Sequence, residues 1–209
     1  MSSKSDCNVL CVGLSRTIDD EFLNDFPNVS HIVCPATCID HIRITKNIKV
    51  ISLIPSESYH ISASAEFTLF LILALLRQGL SVLNGQRMLG NDIYGKTVGF
   101  IGFGRIGSKV AVYLKSLGCE IIWHDIKSNS SSKLDVLKNS DIIVLSMTAD
   151  RKYVNFMNFD DFYQMKDESY FVNVSRGFLV NDYALLEVLE ENKIYGAALD
   201  VVENISVYE

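Results

Sequence analysis

The chain has 209 residues, of which 48% are apolar and 21% charged; this balance excludes disorder and can bury a real core, as one large domain or two small ones. Nineteen Lys and Arg against 25 Asp and Glu leave a net charge of −6, so no global positive field draws in a phosphate backbone and nucleic acid is not an expected partner. The longest apolar run, residues 67–76 with only Thr68 inside it, is about half of the roughly 20 residues a spanning helix needs, and residues 1–8 lack an apolar stretch of secretory length: a soluble, cytoplasmic protein with no membrane partner is expected.

The first third holds all three prolines, Pro27, Pro35 and Pro55. Within it, residues 9–12, 30–34 and 49–54 are short β-branched runs bounded by turn residues, as buried strands are. Between the first two, residues 18–26 put Ile18, Phe22, Leu23 and Phe26 on one helical face after Thr17, a plausible cap. Ser62 or Ser64 then caps a longer predicted helix to about Leu83. Its 67–76 stretch is apolar nearly all round, which predicts burial on most sides. The five cysteines are odd in number, and the spacings Cys7 to Cys11 and Cys34 to Cys38 lack the paired knuckles of a zinc site. Buried thiols in a reducing compartment are expected, and no metal.

From Thr97 the pattern alternates: strand 98–101, helix 106–117, strand 120–123, a Ser-rich loop and helix 133–138. Strand 142–146, a short helix near 160–165, strand 170–174, helix 182–191 and strand 195–201 follow. Near-continuous Val, Ile, Phe and Leu runs mark strands covered on both faces, so an α/β fold with a doubly wound parallel sheet is predicted, with ligands at the carboxyl ends of its strands.

Gly102, Gly104 and Gly107 form a G-x-G-x-x-G triplet directly after a strand and at the start of a helix. The first glycine permits a tight turn, the second lets backbone amides approach a pyrophosphate and the third lets helix and strand pack closely. The helix amino terminus adds unpaired N–H groups and partial positive charge. Asp125, at the end of the next strand and 18 residues past Gly107, can accept hydrogen bonds from an adenosine ribose. It would meet a 2′-phosphate as a like charge, so NAD is favoured as the cofactor. Further on, Arg176 follows a buried strand and is suited to gripping a planar carboxylate; alone, it could equally form a structural ion pair. Asp200 ends the last strand, where by itself it could merely cap a turn.

Taken together, these segments resemble the D-isomer-specific 2-hydroxyacid dehydrogenases, a family of NAD-dependent enzymes. The stretch 94–107, residues 173–177, Leu179-Val180-Asn181 and residues 196–201 follow in the family's order and spacing. Residues 34–42 look like its substrate-domain loop, and Ala65-Glu66 onward like its Ala-Glu helix. The resemblance implies a Rossmann-type NAD-binding domain over 95–209, a connector over 61–94, and a shortened, flavodoxin-like substrate-binding remnant over 1–60. It further implies that Gly102, Gly104, Arg105, Ile106 and Gly107 serve the pyrophosphate and Asp125 the ribose. Met147 and Thr148 would join the cofactor site, Val174, Ser175 and Arg176 would flank the nicotinamide, and Asp200 would meet its carboxamide. Arg176 would also be the catalytic arginine, binding the carboxylate of a small 2-hydroxy or 2-oxo acid and polarising its 2-oxo group. A homodimer is implied as well.

The sequence departs from the family pattern at defined places. Five residues past Asp200, where the family has a catalytic Glu, stands Ile205, with Glu203 nearby. The catalytic His of the family lies on a segment later than Glu209, so a chain shortened at both ends is expected. Thr148 and Asp150 occupy positions where the family has Pro and Thr. Of His31, His41, His60 and His124, His60 is the least improbable substitute acid. The leading expectation is therefore an NAD-dependent oxidoreductase, and the alternative is a catalytically impaired protein that binds NAD(H) or a partner chain.

Overall fold

The computed structural model describes residues 4–14, 16–36, 39–52, 62–86, 89–128 and 130–208. The chain divides into two compact units, Met1–His60 and Ile61–Glu209.

In the first unit, β1 (Val9–Cys11), β2 (Ile18–Asp19), β3 (His31–Cys34), β4 (Ile42–Arg43) and β5 (Lys49–Ser52) are joined by short connections. Strands β1, β3 and β5 form a parallel sheet in that order, with Leu10 opposite Ile32 and Ile32 opposite Val50, while β2 pairs in parallel with β4. Val12, Ile18, Leu23, Val29, Ile32 and Cys34 make the core. The helix expected over 18–26 is absent: a two-residue strand and a 3-10 turn, Phe22–Asp25, stand in its place. Two bonds decide this. The Ile18 N–H donates to the carbonyl of His41 at 2.9 Å, committing its backbone to pairing, and the Asp19 carboxylate accepts the Phe22 N–H at 2.8 Å, capping the tighter turn. Ile18 and Leu23 are still buried, with Phe22 and Phe26 packed on them. Of the strand expected over 49–54, residues 53 and 54 lie outside the described residues, as does His60.

The second unit opens with α1 (Ser62–Leu76) and α2 (Gly79–Leu83), where the sequence predicts one helix. The break has a long-range cause. The segment around Gly90 crosses the end of α1 so closely that a β-carbon on Gly90 would lie 2.6 Å from the Arg77 Cα, and the Asn91 N–H takes the carbonyl of Leu76 at 2.8 Å. Gln78 turns left-handed at φ 51° and the chain restarts. Burial on α1 is also one-sided: Ala65, Thr68, Ile72 and Leu76 face the core, but Phe67 is 44% and Phe70 60% exposed. An all-apolar helix hides its own orientation, so the expected burial on most sides does not hold for the isolated chain.

The alternation follows as β6 (Thr97–Ile101), α3 (Arg105–Ser116), β7 (Glu120–His124), α4 (Lys133–Asn139), β8 (Ile142–Leu145), α5 (Phe159–Gln164), β9 (Ser169–Asn173), α6 (Asp182–Glu190) and β10 (Ile194–Leu199). The five strands are parallel in the order β10-β9-β8-β6-β7. The fold is thus α/β with a Rossmann-like parallel sheet. Strands β8 and β9 are buried at every position and the edge strands β7 and β10 only in part, as parallel strands between helical layers must be. One cluster, including Phe162, Phe171, Leu185 and Val188, fills one side of the sheet; another, including Ile72, Val110 and Leu114, fills the other. Strand order reverses between β6 and β8, the place where α/β sheets hold ligands.

Candidate functional site

A cleft of about 240 Å³ opens at that switch point, lined from the carboxyl ends of three strands: Ile101, Gly102 and Gly104 after β6, His124 to Lys127 after β7, and Ser146 to Thr148 after β8. Asp150, Lys152, Tyr153 and Phe156 complete its wall. The three glycines have three distinct reasons to be glycine. Gly102 has φ +88°, and a β-carbon there would lie 2.3 Å from the Met147 Cα and 2.4 Å from its nitrogen, so neither its conformation nor its surroundings admit a side chain. At Gly107 a β-carbon would meet the Ser146 Oγ at 2.9 Å and the Gly102 carbonyl at 3.0 Å, the mark of close helix–strand packing. At Gly104 a β-carbon would meet none of the described residues within 4 Å.

Gly104 is also the residue from which α3 starts, and it brings no side chain of its own to cap that helix. The first turn of α3 carries backbone N–H groups that point along the helix axis, with the positive end of the helix dipole behind them. Ser146 steadies the turn by donating its hydroxyl to the Gly102 carbonyl at 2.7 Å. Asp125 holds it from the other side, one oxygen accepting the Phe103 N–H at 2.9 Å and the other the Lys127 N–H at 2.8 Å. Partial burial pushes the Asp125 carboxyl up, but the N–H groups of Lys127 and Phe103 and the positive charge of Lys127 outweigh it and hold the group below its ordinary value. Each oxygen keeps a further lone pair for a hydroxyl. A helix start with a bare glycine at its cap, a cradle at Gly104 clear of the described residues and an ionised carboxylate beside it fit a dinucleotide.

The sequence-predicted residues divide into two sets. Gly102, Gly104, Asp125, Met147 and Thr148 line the cleft together. Arg105, exposed, and Ile106, half-buried, form the first turn of α3 with Gly107 but are not among the cleft's walls. Val174, Ser175 and Arg176 follow β9, and Asp200 follows β10. Ser175 joins this group to the cleft loop by donating its hydroxyl to the Met147 carbonyl at 2.6 Å, and the Asp200 N–H donates to the Asn173 carbonyl at 3.0 Å. Arg176 is half-buried, and one guanidinium N–H meets the Ser175 carbonyl at 2.8 Å. The segment after Asp200 runs over the same turn: a β-carbon on Gly177 would lie 2.2 Å from the Glu203 nitrogen.

Ile205 opens a 3-10 turn and is 65% exposed. His124 lines the cleft with its Nδ1 3.0 Å from the Ser131 carbonyl. His31 meets the Ser30 hydroxyl at 2.9 Å, and His41 is buried with Nε2 3.8 Å from the Cys34 Sγ. Among the described residues no three potential ligands come together as a metal site, and no helix is long and apolar enough to cross a membrane.

Ile126, Tyr153 and Phe156 escaped the sequence reading. Tyr153 and Phe156 pack edge to face at 5.7 Å, and Phe156 is backed by the Lys133 ammonium 3.9 Å above its ring. In the sequence Phe156 belongs to a Phe156, Phe159, Phe162 stripe with core spacing, yet only Phe162 is fully buried and Phe159 is 38% exposed. The signal that was available is position, since all three residues follow the carboxyl ends of predicted strands.

Residues 71–207 match the D-isomer specific 2-hydroxyacid dehydrogenase, NAD binding domain family. The chain is 28% identical to a glyoxylate reductase of Thermococcus gammatolerans over 97% of its own length and 69% of the relative's. With a glyoxylate reductase of Thermofilum pendens the identity is 32% over 93% and 64%. Among solved structures it is similar to a D-lactate dehydrogenase from Aquifex aeolicus complexed with NAD and lactic acid, with a TM-score of 0.83, 27% identity, and coverage of 98% of this chain and 67% of that one. The chain thus spans about two-thirds of the length of these relatives.

Proposed function

The chain belongs to the D-isomer specific 2-hydroxyacid dehydrogenase family, NAD-dependent oxidoreductases whose NAD-binding domain it carries, and from that premise we propose that it transfers hydride between NAD(H) and a small 2-hydroxy or 2-oxo acid. The observation that carries this reading furthest is the cradle at Gly104, where a β-carbon would touch none of the described residues although the neighbouring glycines are crowded. NAD, when bound, supplies or accepts the hydride. The backbone N–H groups of Arg105 and Ile106 hold its pyrophosphate, Asp125 its ribose, and Met147 and Thr148 the cleft wall. Val174 and Ser175 shape the nicotinamide side, and Asp200 orients the carboxamide.

Arg176 binds the substrate carboxylate and places fixed positive charge beside the 2-oxo oxygen, where negative charge grows during reduction. The substrate-binding region is residues 1–60, the connector 61–94 and the NAD-binding domain 95–209. Self-association as a homodimer is supported by the apolar face of α1, where the Phe67 and Phe70 rings stack 6.0 Å apart and stand exposed. A reducing, cytoplasmic location fits Cys7, Cys11, Cys34 and Cys119, which form no disulfide among the described residues.

The test is NADH oxidation with glyoxylate, pyruvate and related 2-oxo acids. Oxidation that Arg176→Ala reduces at least a hundredfold supports the proposal. NADH binding without turnover of any acid supports instead the impaired protein that Ile205, in place of an acid, suggests.

A further inference from the structure

Resting on the reading of Arg176 as the group that meets the substrate, we propose that Asn173 is a positioning residue that holds Arg176 in its working geometry. Asn173 ends β9 and is 1% exposed, so it is too enclosed to meet a ligand itself. Its side-chain amide spans the turn that follows. The Oδ1 accepts the Ser175 N–H at 3.0 Å, and the Nδ2 donates to the Arg176 carbonyl at 3.1 Å. One buried group thus uses an acceptor and a donor on two successive residues, and its own main-chain carbonyl takes the Asp200 N–H at 3.0 Å. Beyond Arg176 the chain is fixed again, because Gly177 lies tight beneath Val202 and Glu203.

The arginine side chain is long and rotamer-rich, so its two-pronged grip depends on a fixed base. Asn173 supplies the fixation on the amino-terminal side. Among common side chains of this size, the amide alone offers both halves of the clamp without taking up a proton. An ionised carboxylate keeps the bond from Ser175 but turns an unpaired oxygen on the Arg176 carbonyl, whereas a protonated one donates its O–H there and restores the pair.

The experiment titrates oxamate, an unreactive 2-oxo acid analogue, into the full chain saturated with NADH, and follows NADH fluorescence. Asn173→Ala is expected to weaken oxamate about tenfold or more, the scale of a broken buried hydrogen-bond pair, and to change NADH affinity less than about threefold. Combined with Arg176→Ala it should add nothing to the loss from Arg176→Ala alone. Asn173→Asp, which covers the case in which the alanine variant fails to fold, keeps the bond from the Ser175 N–H but not the one to the Arg176 carbonyl when ionised. Near pH 8 it should therefore also weaken oxamate and change NADH affinity less than about threefold. Additive losses, or unchanged oxamate affinity in Asn173→Ala or in Asn173→Asp, would overturn the inference while leaving the 2-oxo acid reading intact. An unaltered chain that binds NADH but no oxamate would overturn both.

Discussion

Replacing Gly104 by Ala should separate ligand binding from folding. The residue sits at φ −80° and ψ −158°, extended backbone open to any L residue, and the added methyl meets none of the described residues within 4 Å. Stability should hold or rise by about 0.4–1 kcal/mol as the unfolded chain loses freedom. NADH, by contrast, needs the space the methyl takes; overpacking of this size costs about 1–3 kcal/mol, or roughly 5- to 150-fold in affinity. Gly102→Ala should do the reverse. At φ +88° a β-carbon costs about 1–3 kcal/mol in conformation alone, and its 2.3 Å approach to the Met147 backbone cannot be relieved by turning a side chain. A total of about 3 kcal/mol or more lowers Tm by about 6 °C or more. Thermal unfolding and NADH calorimetry on the two variants decide the matter. A Gly104→Ala protein that binds NADH like the unaltered chain, or a Gly102→Ala protein that melts like it, refutes the reasoning.

Arg176→Ala should weaken oxamate about a hundredfold, the scale of lost bonds to a charged group, and leave NADH affinity within about threefold, read from the same fluorescence titration; a parallel loss of both would mean the arginine serves the cofactor instead. Because the folded-state Asp125 carboxyl lies below its ordinary value of 3.8, its contribution to stability is fully present above that value and is lost as pH falls through the lowered one. Urea unfolding should therefore show unaltered chain and Asp125→Asn differing by a constant amount from pH 5 to 8 and converging in strong acid, whereas a gap that opened with acid would contradict the assignment. Lys133 pairs with Asp161 at 2.7 Å with both side chains less than a quarter exposed, and it also donates to the Phe156 carbonyl at 2.6 Å. Lys133→Met should cost about 1–3 kcal/mol, because Asp161 keeps the Asn158 N–H at 3.0 Å but loses its ammonium partner, and a change within 0.5 kcal/mol in denaturant unfolding would show the pair to be solvated.

The second unit was legible because its signals are local and repeat. The apolar runs of β8 and β9 have no polar alternative, and the glycine turn, Asp125 and the strand ends fall where a parallel α/β order puts them. The first unit was less so. Ile18, Phe22, Leu23 and Phe26 have helical spacing, yet the bond from the Ile18 N–H to the His41 carbonyl comes from 23 residues away in sequence and no local pattern reports it. The break after Leu76 has the same character, since it depends on Gly90 and Asn91 folding back; Gly79 alone hinted at a stop. At the candidate site, the residues that bear charge or lack a side chain announced themselves. Asn173, Tyr153 and Phe156 did not, because their part in the site follows from packing and hydrogen bonding around a turn rather than from residue type.

The central claim is that the crevice between β6, β7 and β8 is built to hold NAD, and calorimetric titration of NADH into the unaltered chain and into Gly104→Val tests it most directly. Saturable one-to-one binding by the first and none by the second is the predicted result. Absence of binding by the unaltered chain, or equal binding by both, would contradict it.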